Sequence, residues 1–257
     1  MYVWTPPSIK FLRDASEYSD YYEQLAEKIF AYLQQGIRIC DAGCGLGYLS
    51  LKLAQFSASV TAIDCSEEAL EVLSENIHKF DISNISPRFG NIFECPPSTR
   101  YDAMVFCFFG NTQESLTIAR EQCVGKVILI KKDYYEHRFS IGHHVLDRYS
   151  FEKTCNDLDE NNIPYQKERF SLQMGQPFHS LEDAVLFFQI YSQDDQPERI
   201  NEEMIRNRLI KDPSGRYPFY LPSEKRLGLI ALDTEDIPDE FIISGKTMDR
   251  GNHRRRD

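Results

Sequence analysis

The chain has 257 residues, with 29 Lys and Arg against 40 Asp and Glu, so its formal net charge is -11. That balance opposes nonspecific binding to nucleic acid or to an anionic membrane, which needs a positive field. No apolar run approaches the ~18 residues that span a bilayer, so the expectation is a soluble protein with one large domain, or a domain carrying an insertion.

The opening MYVWTPPSIKF lacks a basic stretch followed by an apolar one, so no secretory leader is expected. Seven cysteines, an odd count without a C-x2-C pair, fit reduced thiols and a cytoplasmic location. Cys40 and Cys44 have the C-x3-C spacing that opens a radical iron–sulfur motif, but its third position holds Gly47. The pair therefore reads as core packing, and no metal is expected.

In chain order, the first strong signal is a helix over 20–35. Tyr22, Leu25, Ala26, Ile29, Phe30 and Leu33 form one apolar stripe, Asp20 is placed to cap it, and Gly36 ends it. Residues 37–40 read as a short strand, followed by a glycine turn and a helix holding Leu49, Leu51, Leu53 and Ala54. Residues 60–63 form a second strand ending in Asp64. Ser66 caps a helix with Ala69, Leu70, Leu73 and Ile77 on one face. A third strand covers 85–89, where Pro87 confines it to a sheet edge. Strands over 103–106 and 126–130 flank a helix over 114–121.

Residues 133–149 then read as a polar, aromatic loop. A helix over 150–161 and a strand over 165–172 follow, then helices over 180–191 and 201–210, a turn cluster at 212–218 and a last strand over 227–232. Short apolar strands alternating with helices imply a mostly parallel sheet covered on both faces. The organisation predicted is an N-terminal lid segment and helix over 1–36, a main domain over 37–233 with a helical, substrate-side insertion over 178–212, and a mobile tail over 234–257. Arg254, Arg255 and Arg256 fall in that tail.

The most informative stretch is Asp41-Ala42-Gly43-Cys44-Gly45-Leu46-Gly47, a glycine turn between strand and helix. Such a turn lets a ligand approach the backbone. Asp64, at the end of the second strand, is placed to accept from both hydroxyls of a ribose. Together they point to a nucleoside cofactor. The glycines run G-x-G-x-G rather than the dinucleotide G-x-G-x-x-G, which disfavours a nicotinamide-dependent oxidoreductase. Asp41 would repel a pyrophosphate and suits a cationic ligand.

These residues resemble the class I S-adenosylmethionine-dependent methyltransferases. CDAGCGLGYLSLKLA is similar to their first motif, (D/E)xGxGxG, and AIDCSEEALEVLSEN to the next. FGNIFE resembles the third, YDAMVFCFF the fourth strand and GKVILIKKD the fifth. The likeness covers about residues 37–132. It implies an α/β, Rossmann-like, doubly wound sheet of seven strands, mostly parallel with the last antiparallel, helices on both faces, and a helical insertion between the last two strands.

By the same resemblance, Gly43 and Gly45 pass under the methionine part of S-adenosyl-L-methionine, and Asp41 accepts from its amino group. Asp64 holds the ribose, while Asn91 and Cys65 neighbour the adenine. Phe108 packs against the sulfonium, a cation over an aromatic face gaining ~0.5–2 kcal/mol. Tyr18 belongs to an N-terminal lid over the cofactor.

The (N/D)PP(Y/F) motif that follows the fourth strand in base and glutamine methyltransferases is absent. Cys107-Phe108-Phe109-Gly110 stands there, which puts those two reactions in doubt. Phe109 is then a candidate for an apolar substrate contact, and Lys132 and Arg138 for clamping a substrate anion. His137, His143 and His144 are the candidate general bases. The expectation is in-line methyl transfer to a small molecule, without membrane or nucleic-acid partners. The alternatives are methylation of RNA or protein, or a noncatalytic module that binds S-adenosyl-L-methionine.

Overall fold

The computed structural model describes residues 3–134, 138–141 and 151–240. Helix α1 (Pro6–Tyr18) is absent from the sequence expectation, although its start signal is local. Thr5 is extended, its side chain accepts from the Ser8 N–H, and Ser8 in turn bonds the Thr5 backbone. Pro6 sits at the first helical position, where no N–H is needed. Helix α2 (Tyr21–Phe30) is shorter than predicted, and Asp20 makes no side-chain cap bond. Its buried positions are Tyr21, Leu25, Ala26 and Ile29. The stripe is thus rotated toward Tyr21, and Tyr22 sits at its margin.

The main sheet follows from β1 (Arg38–Ala42), β2 (Ser59–Asp64), β3 (Ile85–Phe89), β4 (Tyr101–Cys107), β5 (Cys123–Lys132), β6 (Gln166–Gln173) and, after two short strands, β9 (Glu224–Asp233). The short ones are β7 (Gln176–Phe178) and β8 (Phe219–Leu221), which pair with each other. The seven-stranded order is β3-β2-β1-β4-β5-β9-β6, so Pro87 does lie on an edge strand. Strand β9 runs antiparallel to both β5 and β6, and the pairings among β1 to β5 are parallel. The order reverses between β1 and β4, which opens a crevice at their carboxyl ends, the place where such sheets bind ligands.

Helices cover both faces. On one side α2, α3 (Tyr48–Leu53) and α4 (Glu67–Lys79) pack on Ile39, Val105, Ile128 and Leu229. On the other, α5 (Thr112–Gln122) and α6 (Phe151–Glu160) pack on Met104, Phe106, Leu129 and Ile230. Period-two alternation along the strands divides the two sets. The stretch between β6 and β9 carries α7 (Leu181–Tyr191) and α8 (Glu202–Ile205), the latter only one turn of the longer helix expected there. This region has its own core around Phe178, Phe187 and Phe188, into which α1 inserts Phe11. The Phe11 ring meets Phe187 edge-on at 5.3 Å, a geometry aromatic pairs favour.

The chain stays on the domain just after β9. Thr234 donates to the Gly125 carbonyl at 2.7 Å, and Ile237 is buried. Residues 241–257, with most of the expected tail and its arginines, lie outside the described residues. Among the described residues, no helix is long and apolar enough to cross a membrane.

Candidate functional site

The crevice between β1 and β4 is where the predicted residues converge. Gly45 has a φ of +53°, a left-handed conformation open chiefly to glycine. A Cβ there would stand 3.0 Å from the Trp4 ring, so the indole lies directly on the turn. Phe109 lies likewise on Gly43. A cavity of about 150 Å³ adjoins the turn, lined among others by Trp4, Tyr22, Asp41, Gly45, Cys107 and Phe108.

Asp41 is 1% exposed at the end of β1. Ser50 of α3 donates to its Oδ2 at 2.6 Å. Burial pushes its pKa up to about 6, and the Asp64 charge adds to this, while the Ser50 hydrogen bond opposes it. Asp64, at the end of β2, accepts from the Gly45 N–H at 2.8 Å and the Ser66 N–H at 3.0 Å. It therefore ties the glycine turn to the entry of α4. Each oxygen uses one lone pair in this way and keeps another.

Phe108 has a φ of +56°, uncommon for a bulky residue and a mark of functional sites when the surroundings hold it. What holds it here is Lys131. That side chain is 1% exposed and donates to the carbonyls of Phe109 and Gly110 at 3.0 and 3.1 Å. Burial lowers its pKa to about 8. Cys107, beside Asp41, is likewise shifted, its thiol pushed up to about 12 chiefly by burial.

Tyr18, Asn91, Cys65, Lys132 and Arg138 are not among the residues that line this cavity. The Tyr18 hydroxyl donates to Asp212, and its ring packs on Tyr220 at 5.0 Å. Asn91 accepts from the Phe93 N–H at 3.2 Å and opens a short helical turn. Cys65 is half-buried next to Asp64. Lys132 is exposed at the end of β5. The Arg138 guanidinium lies over the Phe139 ring at 4.9 Å. His137, His143 and His144 lie outside the described residues.

Two residues that sequence reasoning passed over stand in or beside the crevice: Trp4 and Lys225. The Lys225 Nζ lies 4.6 Å from the Tyr21 ring centroid and 5.7 Å from that of Phe108. A signal for it existed. The last strand is antiparallel, so its first residues share an edge with the last residues of β5.

A methyltransferase-domain family model matches residues 33–203. A ribosomal protein L11 methyltransferase of Thermotoga petrophila is 42% identical over 52 residues, which is 20% of this chain and 20% of that protein. A malonyl-(acyl-carrier protein) O-methyltransferase of Bacillus cytotoxicus is 26% identical over 159 residues, covering 56% of this chain and 55% of its own. The chain thus spans about half the length, or less, of these curated relatives. Among solved structures, the YcgJ protein of Bacillus subtilis superposes with a TM-score of 0.52 at 14% identity, covering 82% of this chain and 98% of that one. That likeness is one of fold.

Proposed function

The chain belongs to the methyltransferase-domain family and is an S-adenosyl-L-methionine-dependent enzyme, and from that premise we propose that it methylates a small molecule. The observation that carries this reading is a small, ring-lined cavity at the crevice. The carboxyl ends of β1 and β4 open into a cavity of about 150 Å³ under Trp4, Tyr22 and Phe108, and Tyr21 beside it is fully buried. An acceptor buried among rings suits a small ligand. The net charge of -11 also opposes a polyanionic substrate.

The residues present suit the cofactor. Asp41 is a buried acid whose charge no described cation neutralises, and a cationic ligand would favour it. Gly45 has no side chain, so its backbone admits a group in close contact, as the Trp4 ring against it shows. In this reading Gly43 and Gly45 pass under the methionine part, Asp41 faces its amino group, and the free lone pairs of Asp64 take the ribose hydroxyls. When bound, the cofactor supplies a methyl group activated by its sulfonium. The chain's own contribution is alignment: Lys131 fixes the 108–110 turn, which sets the Phe108 ring against the crevice.

Methyl-labelled cofactor tests the substrate class. It would be incubated with the protein and, separately, an ultrafiltered metabolite extract, total RNA and total protein. Label is expected in the metabolite fraction. Label fixed in RNA or protein would assign one of the macromolecular alternatives, and no turnover with any fraction would favour a cofactor-binding module.

A further inference from the structure

We propose that the methyl acceptor carries an anionic group, a carboxylate or a phosphate, held between Lys225, Arg138 and the Tyr21 hydroxyl. This rests on the small-molecule methyltransferase reading and names the substrate class of that site.

The topology builds the cluster. The Asp133 N–H, just past β5, donates to the Arg226 carbonyl at 3.1 Å. Lys225 therefore emerges at the carboxyl edge of the sheet, beside the crevice. Alternation puts it on the same face as Leu227 and Leu229, the face that α2 covers. Cys107 lies on that face too.

Among the described residues, each of the three groups lacks an anionic partner. The Lys225 ammonium contacts the Met174 Sδ at 2.8 Å, a weak acceptor for a cation. Arg138 donates to the Ser223 hydroxyl and also engages the Tyr134 hydroxyl, yet among the described residues its buried Nε has no acceptor. Tyr21 is 0% exposed, and its hydroxyl has no hydrogen-bond partner. Among the described residues, no carboxylate forms an ion pair with Lys225 or Arg138.

Arg138 reaches Ser223, two residues before Lys225, and the Lys225 ammonium lies over the Tyr21 ring. Burial lowers the Lys225 pKa to about 7, with the Arg138 charge pushing the same way and Cys107 opposing it. The same Arg138 charge acts on the Tyr21 hydroxyl. Two partly buried cations that repel each other over aromatic rings are costly unless an anion joins them. A carboxylate or phosphate would accept charge-assisted hydrogen bonds from both and a neutral one from Tyr21. Lys131 contrasts with this, because two carbonyls already satisfy it. Phe108 borders both Lys225 and the cavity at the glycine turn, so the anion would sit next to the reacting end of the cofactor.

The test uses thermal melting of the full chain with inorganic phosphate or sodium acetate, each against sodium chloride at equal ionic strength. S-adenosylhomocysteine binding is measured in parallel by calorimetry. At least one of the two anions is expected to raise the melting temperature of the wild type, and which one does so distinguishes phosphate from carboxylate recognition. The response should weaken more than tenfold in both Lys225→Met and Arg138→Met, each still binding S-adenosylhomocysteine as the wild type does. Normal S-adenosylhomocysteine binding with no anion response in the wild type would overturn the proposal alone. So would a response that survives both substitutions. Failure of the folded wild type to bind S-adenosylhomocysteine would instead overturn the underlying methyltransferase reading, and the acceptor site with it.

Discussion

Replacing Asp41 with Asn is expected to make the protein alone more stable while weakening its binding of the cofactor at least ~100-fold. The side chain is 1% exposed, and its pKa stands at about 6 against an ordinary 3.8. Below pH 3.8 the carboxyl is protonated in both folded and unfolded chains, and the shift has no effect on stability. As pH rises toward 6, the unfolded chain gives up its proton first, so stability falls across that window and stays lower above it. The full difference is about 3 kcal/mol at neutral pH. Asn carries no charge and keeps an oxygen to accept from Ser50. Chemical denaturation of Asp41→Asn at pH 7.5 should therefore show a gain on the order of 2 kcal/mol that vanishes below about pH 4. The ionised carboxylate is also what a cationic ligand seeks, so wild-type affinity should fall as pH drops below 6. The variant should bind at least ~100-fold more weakly, or about 2.7 kcal/mol. A variant both less stable and normal in binding would refute this role. A gain in stability at the cost of function is a recurrent property of active sites.

The second large effect falls on Gly47. Its φ is +73°, and a Cβ there would stand 2.4 Å from the Leu73 Cδ1 and 2.8 Å from its Cγ. Leu73 is fully buried in the contact of α4 with the sheet. Gly47→Ala therefore carries the left-handed penalty of ~1–2 kcal/mol and an overpacking penalty of ~1–3 kcal/mol. Gly36 offers a matched control, with the same φ of +73° and nothing within 4 Å of its Cβ position. Gly36→Ala should lose only the first amount. Urea denaturation of the two variants separates the terms, and equal losses would show that the contact with Leu73 does not constrain the turn.

The sheet was legible because its signals are local. Strand spacing, the glycine turn and Asp64 all lie within one stretch of chain, and Pro87 marked an edge strand that the sheet order places at the edge. The inward face of α2 was misjudged because burial depends on what lies opposite. Tyr21 and Tyr22 are adjacent, and only the packed sheet decides that Tyr21 points inward. Helix α1 carried a legible Thr-Pro start, and it packs chiefly on α7 and β7, elements more than 150 residues away in the chain. Strands β7 and β8 are three residues each, too short for any periodicity to register.

The site divides in the same way. Asp41, Gly43, Gly45 and Phe108 line one cavity. Tyr18 was read as a lid by its position in the chain, yet a bond to Asp212, 194 residues away, holds it elsewhere. From the same N-terminal segment it is Trp4 that lies on the glycine turn. Lys225 was hidden for a topological reason: the start of an antiparallel strand lies with the ends of its parallel neighbours, and only strand direction reveals the shared edge.

Calorimetric titration with S-adenosylhomocysteine bears most directly on the central claim, that the cofactor is seated on the glycine turn between Asp41 and Asp64. One site per chain is expected for the wild type. Asp64→Ala, verified as folded by its melting transition, should bind at least ~10-fold more weakly, or about 1.4 kcal/mol. No binding to the folded wild type, or wild-type affinity in Asp64→Ala, would contradict the account.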